Sequence, residues 1–272
     1  MIRDITLGQF FPGTSVIHKA DPRVKIVLVT AYIIFLFVTR NFVSLVFMVA
    51  VVLLGVIMTG IPVKMYFRGL KPVVMILIFT SVLNIFYGKG EAIWQWQFLK
   101  ITWNGISNAA FVSIRIIALI LISCILTYTT SPTDLTDALE RLMKPLKVFH
   151  IKVHEIAMMM TIALRFIPTL LEETEKITNA QKSRGADMES GNIVQRLKAM
   201  IPVLVPLFVS SFNRAYELAV AMECRCYRGG DGRTRMKVLK TGARDAGLII
   251  FSVFVLVGVI LCNVMFSEMI VK

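Results

Sequence analysis

The 272-residue chain is 56% hydrophobic and carries a formal net charge of +13. A soluble domain this apolar would lack the polar side chains that cover a wet surface, so we expect a membrane protein. In a membrane protein the distribution of the positive charge indicates which side of the membrane each segment occupies. Because sidedness accounts for the charge, we expect no nucleic-acid partner. The first 23 residues contain Phe-Phe-Pro and Asp-Pro-Arg breaks. They do not have the pattern of a signal peptide, so we expect the N-terminus to be retained.

Five apolar runs approach the roughly 20 residues that a helix needs to cross a bilayer. They lie at 24–38, 43–58, 72–88, 109–128 and 246–266. Two further apolar stretches, 156–171 and 199–212, contain Arg165 and a pair of prolines respectively. We expect these two to belong to long helices that run along or just beneath the membrane. The number of crossings is therefore about five, within a range of five to seven.

The basic residues predict the orientation of these crossings. With the N-terminus in the cytoplasm, 25 of the 30 Lys and Arg residues fall in the inside segments 1–25, 59–71 and 131–245. This satisfies the positive-inside rule and places the C-terminus outside. Three tryptophans then fall in the longest outside loop, as is typical of an aromatic belt. Arg115, inside the fourth run, should face the helix bundle or the outer interface.

These patterns predict an all-α, polytopic membrane protein with about five transmembrane helices. Residues 1–130 form an N-terminal membrane region with four transmembrane helices. Residues 131–245 form a cytoplasmic or interfacial region of long helices, inserted before the last crossing. Residues 246–272 hold that final transmembrane helix.

The region 131–245 contains three predicted helices. The first starts at the cap Ser131 with Pro132 in its first position. The second runs from about residue 152 to Arg184-Gly185, where glycine favours a C-terminal break. The third runs through two prolines toward Arg225. The apolar spacing of the second helix predicts one buried face formed by Ile156, Met159, Ala163, Ile167, Leu170, Leu171 and Ile177.

The ends of the second and third helices are similar in sequence. “NAQKSRGAD” (179–187) aligns with “VAMECRCYR” (220–228), so that Arg184 coincides with Arg225 and each has an alanine four residues before it. The residues that flank the two arginines are Ser183 and Gly185 in the first case and Cys224 and Cys226 in the second. Small neighbours let a helix tip enter a narrow groove, where a guanidinium can bind carboxylates or backbone carbonyls. Two similar tips predict two similar receptors.

Two other patterns suggest metal binding only weakly. Residues two apart on a helix point roughly 200° away from each other, so Cys224 and Cys226 could not easily share an ion there. His150 and His154 are four apart and could face one metal, but the sequence offers no evident third ligand. We expect no metal site.

Four stretches of the chain read “IRDITLGQFFPGTSVIHKADPRVKI”, “ALRFIPTL”, “AQKSRGAD” and “AMECRCYRGG”. Together they resemble the transmembrane T component of energy-coupling factor (ECF) transporters, the EcfT family, over nearly the whole chain. The resemblance implies that two coupling helices each present an Ala-Arg-Gly-like motif to one of two ABC-type ATPase subunits. The implied ATPase-docking residues are Ser183, Arg184, Gly185, Cys224, Arg225 and Cys226. Cys-Arg-Cys departs from the usual motif, which leaves open how sharply the helix ends at Cys226.

The resemblance also implies a function and further partners. The chain would be the scaffold and energy-coupling subunit of an ATP-driven importer in a prokaryotic cell membrane. Its other partner would be a substrate-binding membrane S component, either dedicated or exchangeable, for vitamins or other micronutrients. The chain contains no G-x-x-x-x-G-K-[ST] phosphate loop. ATP and Mg would therefore be bound by the partner ATPases, and we expect no enzyme activity and no cofactor in this chain.

Two functions of other classes are the alternatives. A self-sufficient permease would place polar substrate ligands along its own helices, for which Asn84 and Ser123 are the available groups. An intramembrane enzyme would need catalytic carboxylates, histidines or a nucleophile inside the crossings, which are nearly free of ionisable groups. Autonomous uptake would favour the permease, and hydrolysis by the isolated chain would favour the enzyme.

Overall fold

The computed structural model describes residues 10–86, 92–96, 99–186, 192–230, 239 and 241–266. Within these ranges the chain is helical apart from one short hairpin, which confirms the predicted all-α class. In chain order the elements are α1 (Val16–Lys19), α2 (Pro22–Val38), α3 (Phe42–Thr59), α4 (Val63–Phe86), β1 (Ala92–Trp96), β2 (Leu99–Thr102), α5 (Trp103–Thr129), α6 (Pro132–Leu142), α7 (Val153–Ser183), α8 (Ile193–Cys224) and α9 (Ala243–Met265). A 3₁₀ helix, Lys144–Phe149, lies between α6 and α7.

Local signals in the sequence set several helix starts. The side chain of Asp21 accepts the Arg23 N–H at 2.9 Å and caps α2, which begins with a proline. Ser131 Oγ accepts the Asp134 N–H at 3.1 Å, and Pro132 opens α6, as the sequence predicts. Both starts satisfy backbone N–H groups that a helix cannot pair internally.

The described residues divide into two compact units. Residues 10–138 with 239–266 form one, called here the bundle unit, and residues 139–230 form the other, called here the helix-pair unit. The predicted three-part division at residues 130 and 245 stays a prediction.

The bundle unit packs α2, α3, α5 and α9 around one apolar core, with α4 along α5. The fully or nearly fully buried members of this core are Leu36, Leu45, Met48, Val52, Phe111, Ala118, Ile122, Val255 and Val259. Arg115 on α5 faces this bundle, as predicted. Its Nη2 donates to the Thr39 carbonyl at 2.7 Å, and its guanidinium carbon lies 4.6 Å from the centroid of the Phe111 ring.

An antiparallel hairpin, β1 with β2, joins α4 to α5 where the sequence predicts a loop. Thr102 ends the hairpin and caps α5, because its Oγ1 accepts the Gly105 N–H at 3.1 Å. A Cβ added to Gly105 would lie 2.8 Å from the Ile85 carbonyl oxygen and 2.9 Å from that of Asn84. Glycine therefore permits the close approach of the start of α5 to the end of α4.

In the described part of the chain, six helices are long and apolar enough to cross a membrane by length and composition: α3, α4, α5, α7, α8 and α9. The chain is a multi-pass membrane protein, and six lies within the predicted range. The predicted first crossing, 24–38, corresponds to α2, which has 17 residues. The stretches predicted to lie beside the membrane, 156–171 and 199–212, belong to α7 and α8. Whether α2, α7 and α8 cross the bilayer stays a prediction.

Lys25 fastens the start of α2 to the end of α5. Its side chain is buried, and Nζ donates to the Thr129 carbonyl at 2.9 Å and to Thr130 Oγ1 at 3.3 Å. A third bond goes to the His18 carbonyl at 3.1 Å. All three ammonium protons therefore have acceptors, and the cation lies at the negative end of the α5 dipole.

Asp245 fastens the start of α9 to the start of α2. Its carboxylate is buried, with Oδ1 accepting the Asp21 N–H and Oδ2 accepting the Gly242 N–H, both at 2.8 Å. Each carboxylate oxygen thus satisfies a backbone donor at a helix start. A charged acceptor makes both bonds stronger than neutral ones.

We predict that Asp245→Ala destabilises the protein by about 1–3 kcal/mol, because two backbone donors lose their acceptor. Thermal unfolding of the detergent-purified protein measures the change. The exposed neighbour Arg244 gives the matched control, and Arg244→Ala should leave the midpoint unchanged. Equal midpoints for both variants would contradict the assigned role of the carboxylate.

Candidate functional site

The first arginine tip lies where α7 ends. Ser183 is the last helical residue, Arg184 is the C-cap and Gly185 has φ +86°. The Gly185 N–H donates to the Lys182 carbonyl and the Ala186 N–H to the Gln181 carbonyl, both at 3.0 Å. This is a Schellman motif, in which a residue in the left-handed conformation turns the chain sharply away from the helix axis.

The second arginine tip ends α8 in the same way. Cys224 is the last helical residue, Arg225 is the C-cap and Cys226 has φ +55°. The Cys226 N–H donates to the Glu223 carbonyl at 2.8 Å and the Tyr227 N–H to the Met222 carbonyl at 3.0 Å. The two arginines therefore occupy equivalent positions in equivalent caps. The sequence left open how sharply α8 ends at the Cys-Arg-Cys motif. The helix does end sharply there, with Cys226 in the conformation that glycine adopts most easily.

All six predicted docking residues are exposed. Within the described ranges neither Arg184 nor Arg225 forms an ion pair or a side-chain hydrogen bond. Their flanking side chains add little bulk. Each tip is therefore a guanidinium with free donors on a narrow helix end, which fits a carboxylate-bearing groove.

The contacts between α7 and α8 show that the two helices are antiparallel. Near the start of α7, Met158 and Ile162 line one cavity with Leu218 and Met222 from the end of α8. Farther along α7, Glu173 contacts residues nearer the start of α8. The two tips therefore lie at opposite ends of the helix pair.

Glu173 holds the helix pair together between the tips. Its Oε1 accepts the hydroxyl of Ser210 at 2.5 Å, and its Oε2 accepts Arg214 Nη2 at 2.7 Å. We call these three residues the clasp. Arg184 lies 11 residues after Glu173, and Arg225 lies 11 residues after Arg214. At 1.5 Å per residue each of these arms is about 16 Å long, whereas Ser210, 15 residues before Arg225, lies about 22 Å from it. The tips are therefore separated by about 35 Å.

The segment after Arg225 is supported by a histidine from α7. A Cβ on Gly230 would overlap Cδ2 of His154, so the ring packs directly against this glycine. His154 Nδ1 lies 3.0 Å from Glu140 Oε1. These contacts hold the chain beside the second tip. His154 thus has a carboxylate partner from α6, and within the described ranges no group of three His, Cys, Asp or Glu side chains is placed to hold a metal.

Two expectations from the sequence are corrected here. The argument that a helix separates Cys224 from Cys226 does not hold, because Cys226 lies beyond the helix end. The predicted buried face of α7 is wrong over its first half: Ile156, Met159 and Ala163 are exposed, whereas Val153 and Ala157 are buried. On α8, exposed apolar residues include Phe208 and Phe212. Both helices thus present apolar surface that the described part of the chain does not cover.

Comparison with known proteins matches the sequence to a transport family. Residues 13–238 match the model of the CbiQ family, described as cobalt transport protein. A relative from Ruminiclostridium cellulolyticum is 52% identical over 98% of this chain and 100% of its own length. Relatives from Clostridium kluyveri and Bacillus subtilis are 51% and 43% identical, covering 90% and 92% of this chain and 92% and 95% of their own lengths. All three are named energy-coupling factor transporter transmembrane protein EcfT.

The chain belongs to the EcfT family. The resemblance based on four motifs is confirmed, and the chain has the multi-pass membrane character expected of an EcfT protein. The docking roles of the six tip residues stay predictions.

The sequence analysis missed the clasp. None of Glu173, Ser210 and Arg214 belongs to a motif that the sequence analysis singles out. A signal was available: an acidic and a basic residue each stand 11 positions before an arginine tip. That signal becomes meaningful only once α7 and α8 are known to be antiparallel.

We predict that exchanging Gly185 and Cys226, the residues with positive φ, changes the stability of the two caps in opposite directions. Gly185→Cys should destabilise the α7 cap by about 1 kcal/mol, because a side chain disfavours positive φ. Cys226→Gly should stabilise the α8 cap for the same reason. Hydrogen exchange at the cap amides measures both effects, with the unmutated tip as the control in each protein. Unchanged exchange at both tips would contradict the assigned conformations.

We also predict the spacing of the tips. Spin labels on Ser183→Cys and on Cys226, in a protein with the other three cysteines replaced by serine, should be separated by about 35 Å. Double electron–electron resonance measures this distance. Met158 and Cys226 line one cavity, so a short thiol-to-thiol cross-linker should instead join Met158→Cys to Cys226. A Ser183→Cys cross-link to Cys226 would contradict the antiparallel arrangement.

Proposed function

We propose that the chain is the scaffold and energy-coupling subunit of an ECF-type ABC importer. In this proposal Arg184 and Arg225 dock into two ABC-type ATPase subunits, one at each tip. Movement of the ATPases displaces α7 and α8, and these helices transmit the motion to a substrate-binding membrane subunit. The cargo class is vitamins or other micronutrients.

One observation carries the proposal: two equivalent caps present arginines at opposite ends of a clasped helix pair, and neither arginine is paired within the part of the chain that the structure describes. Equivalent caps suit two receptors of similar shape. A guanidinium offers donors in a fixed fork, so it binds a carboxylate in one orientation. A tip held that way follows its receptor when the receptor moves.

The clasp supports transmission along the helices. Glu173, Ser210 and Arg214 hydrogen-bond across the pair, so displacement of one tip acts on both helices. The exposed apolar surface of α7 and α8 suits a substrate-binding membrane subunit, which would cover it. In this arrangement the N-terminus is cytoplasmic and the C-terminus is outside, as the basic residues indicate.

The proposed division of labour leaves the chemistry to the partners. ATP and Mg are bound by the ATPase subunits, and this chain is not an enzyme. Its arginines act as docking groups, and its helices act as levers.

We predict that Arg184→Glu with Arg225→Glu abolishes both ATPase retention and ATP-dependent uptake. A carboxylate in place of the guanidinium repels an acidic groove and offers no donors. Co-purification from detergent measures retention, and uptake into proteoliposomes measures transport. Each single variant should lose one ATPase contact and weaken retention to an intermediate level.

Arg40 provides the matched control. It is an exposed arginine in the turn between α2 and α3, in the bundle unit rather than the helix-pair unit, and the basic residues predict that this turn lies on the outer side of the membrane. Arg40→Glu should retain the ATPases and transport normally. Retention and uptake by the double variant at the level of Arg40→Glu would overturn the docking role of the two tips.

A further inference from the structure

The bundle unit contains an apolar cavity that the proposed coupling function does not use. Its volume is about 330 Å³, and it is lined by α2, α3, α5 and α9 near the end where α2 and α9 begin and α3 and α5 finish. Val52 and Ile122 form part of its buried wall, whereas Leu54, Met58 and Phe251 are partly exposed and mark its open side.

The polar groups of the cavity have all their donors engaged. Lys25 has all three ammonium protons donated to chain oxygens. Ser252 donates to the Leu248 carbonyl at 2.8 Å, so the Tyr32 hydroxyl, 3.2 Å away, donates to Ser252, and Thr129 Oγ1 donates to the Ile125 carbonyl at 2.7 Å. Only hydroxyl lone pairs remain to hold a water, whereas the rest of the wall is apolar. An empty cavity would also forfeit dispersion contacts along its walls.

A hydrocarbon chain suits the cavity in both width and chemistry. Such a chain is far narrower than a helix, which is roughly 10 Å across. The walls are apolar, and the bilayer surrounding the protein supplies hydrocarbon chains at the open side. The occupant that fits the walls is therefore the acyl chain of a lipid.

Exposed cations near the cavity favour an acidic headgroup. Arg244 precedes the lining residue Gly247 by three positions, so the two lie on the same side of α9. Lys19 ends α1, which also carries the lining residue Ile17. Both cations are exposed, and within the described ranges neither forms an ion pair. The nearby acids are engaged: Asp21 pairs with Arg23, Asp245 accepts two backbone bonds, and Asp134 also has a partner. The net attraction is for an anionic headgroup.

We infer that this cavity, between α2, α3, α5 and α9, binds one acyl chain of an acidic phospholipid whose headgroup lies beside Lys19 and Arg244. The acyl chain would fill the cavity at the end of the bundle unit where Lys25 and Asp245 form hydrogen bonds between helices. The inference does not depend on the docking role of either arginine tip.

Photolabelling tests the site in the intact transporter. The chain, purified with its partner subunits, is placed in phosphatidylcholine nanodiscs that contain a trace of phosphatidylglycerol with a diazirine in mid-chain. After illumination, mass spectrometry of the peptides should find adducts concentrated in 25–32, 51–58, 122–129 and 247–252. Adducts spread evenly over the lipid-facing residues of α4 and α9 would overturn the site.

Gly247 allows the cavity to be filled. A Cβ added there meets no atom within 4 Å, so Gly247→Phe should place its ring in the open space without moving the backbone. We expect adduct yield in the four segments to fall about tenfold or more, because the ring displaces several methylenes of the chain. Val253→Phe adds similar bulk on the exposed side of α9 and should leave the yield unchanged. Leu54→Trp places a large side chain from α3 at the open side of the cavity. It should reduce the adduct yield in the same way, without a change in α9.

Undiminished labelling of both Gly247→Phe and Leu54→Trp would overturn the cavity as the site.

The headgroup is tested by a phosphatidylcholine probe carrying the same diazirine chain, which should label less. Lys19→Glu or Arg244→Glu should each reduce the preference for phosphatidylglycerol by about fivefold. Equal labelling by the two probes in the unaltered protein would overturn the acidic headgroup. Loss of the membrane partner from Gly247→Phe, with labelling retained, would assign the cavity to that partner instead.

Discussion

The ion pair between Glu173 and Arg214, with Ser210 beside it, determines where both arginine tips lie. Along much of α7 and α8 the side chains are apolar and exposed, so they give the two helices little reason to adopt one register. Directional bonds from a carboxylate to a hydroxyl and a guanidinium do specify a register. A slip of one helical turn would break both bonds and move one tip relative to the other.

The two tips show one backbone geometry reached with two residue types. At the first tip glycine adopts positive φ without steric conflict, whereas at the second Cys226 adopts it despite its Cβ. What the ends share is the Schellman hydrogen bonding and the position of the arginine. The function we propose requires that shared geometry, and it tolerates a change of the flanking side chain as long as that side chain stays small.

Features encoded by a few adjacent residues were predictable from the sequence. Ser131-Pro132 marked the start of α6, Arg184-Gly185 marked the end of α7, and the paired arginine motifs gave the family. Features that depend on distant segments were not predictable, among them the clasp and the three acceptors of Lys25. The apolar face of α7 was assigned to the interior because a periodic pattern indicates that a face needs cover, without indicating whether this chain, a lipid or another subunit provides it.

The equal arms on either side of the clasp have a consequence for symmetry. Exchanging α7 with α8 by a half-turn about an axis through Glu173 and Arg214 would bring each arginine close to the position of the other. A single chain thus imitates a local dyad, although most of its sequence has no internal repeat. Receptors related by a true dyad could each meet the same geometry, and symmetric closure of such receptors would drive equal and opposite displacements along the two arms.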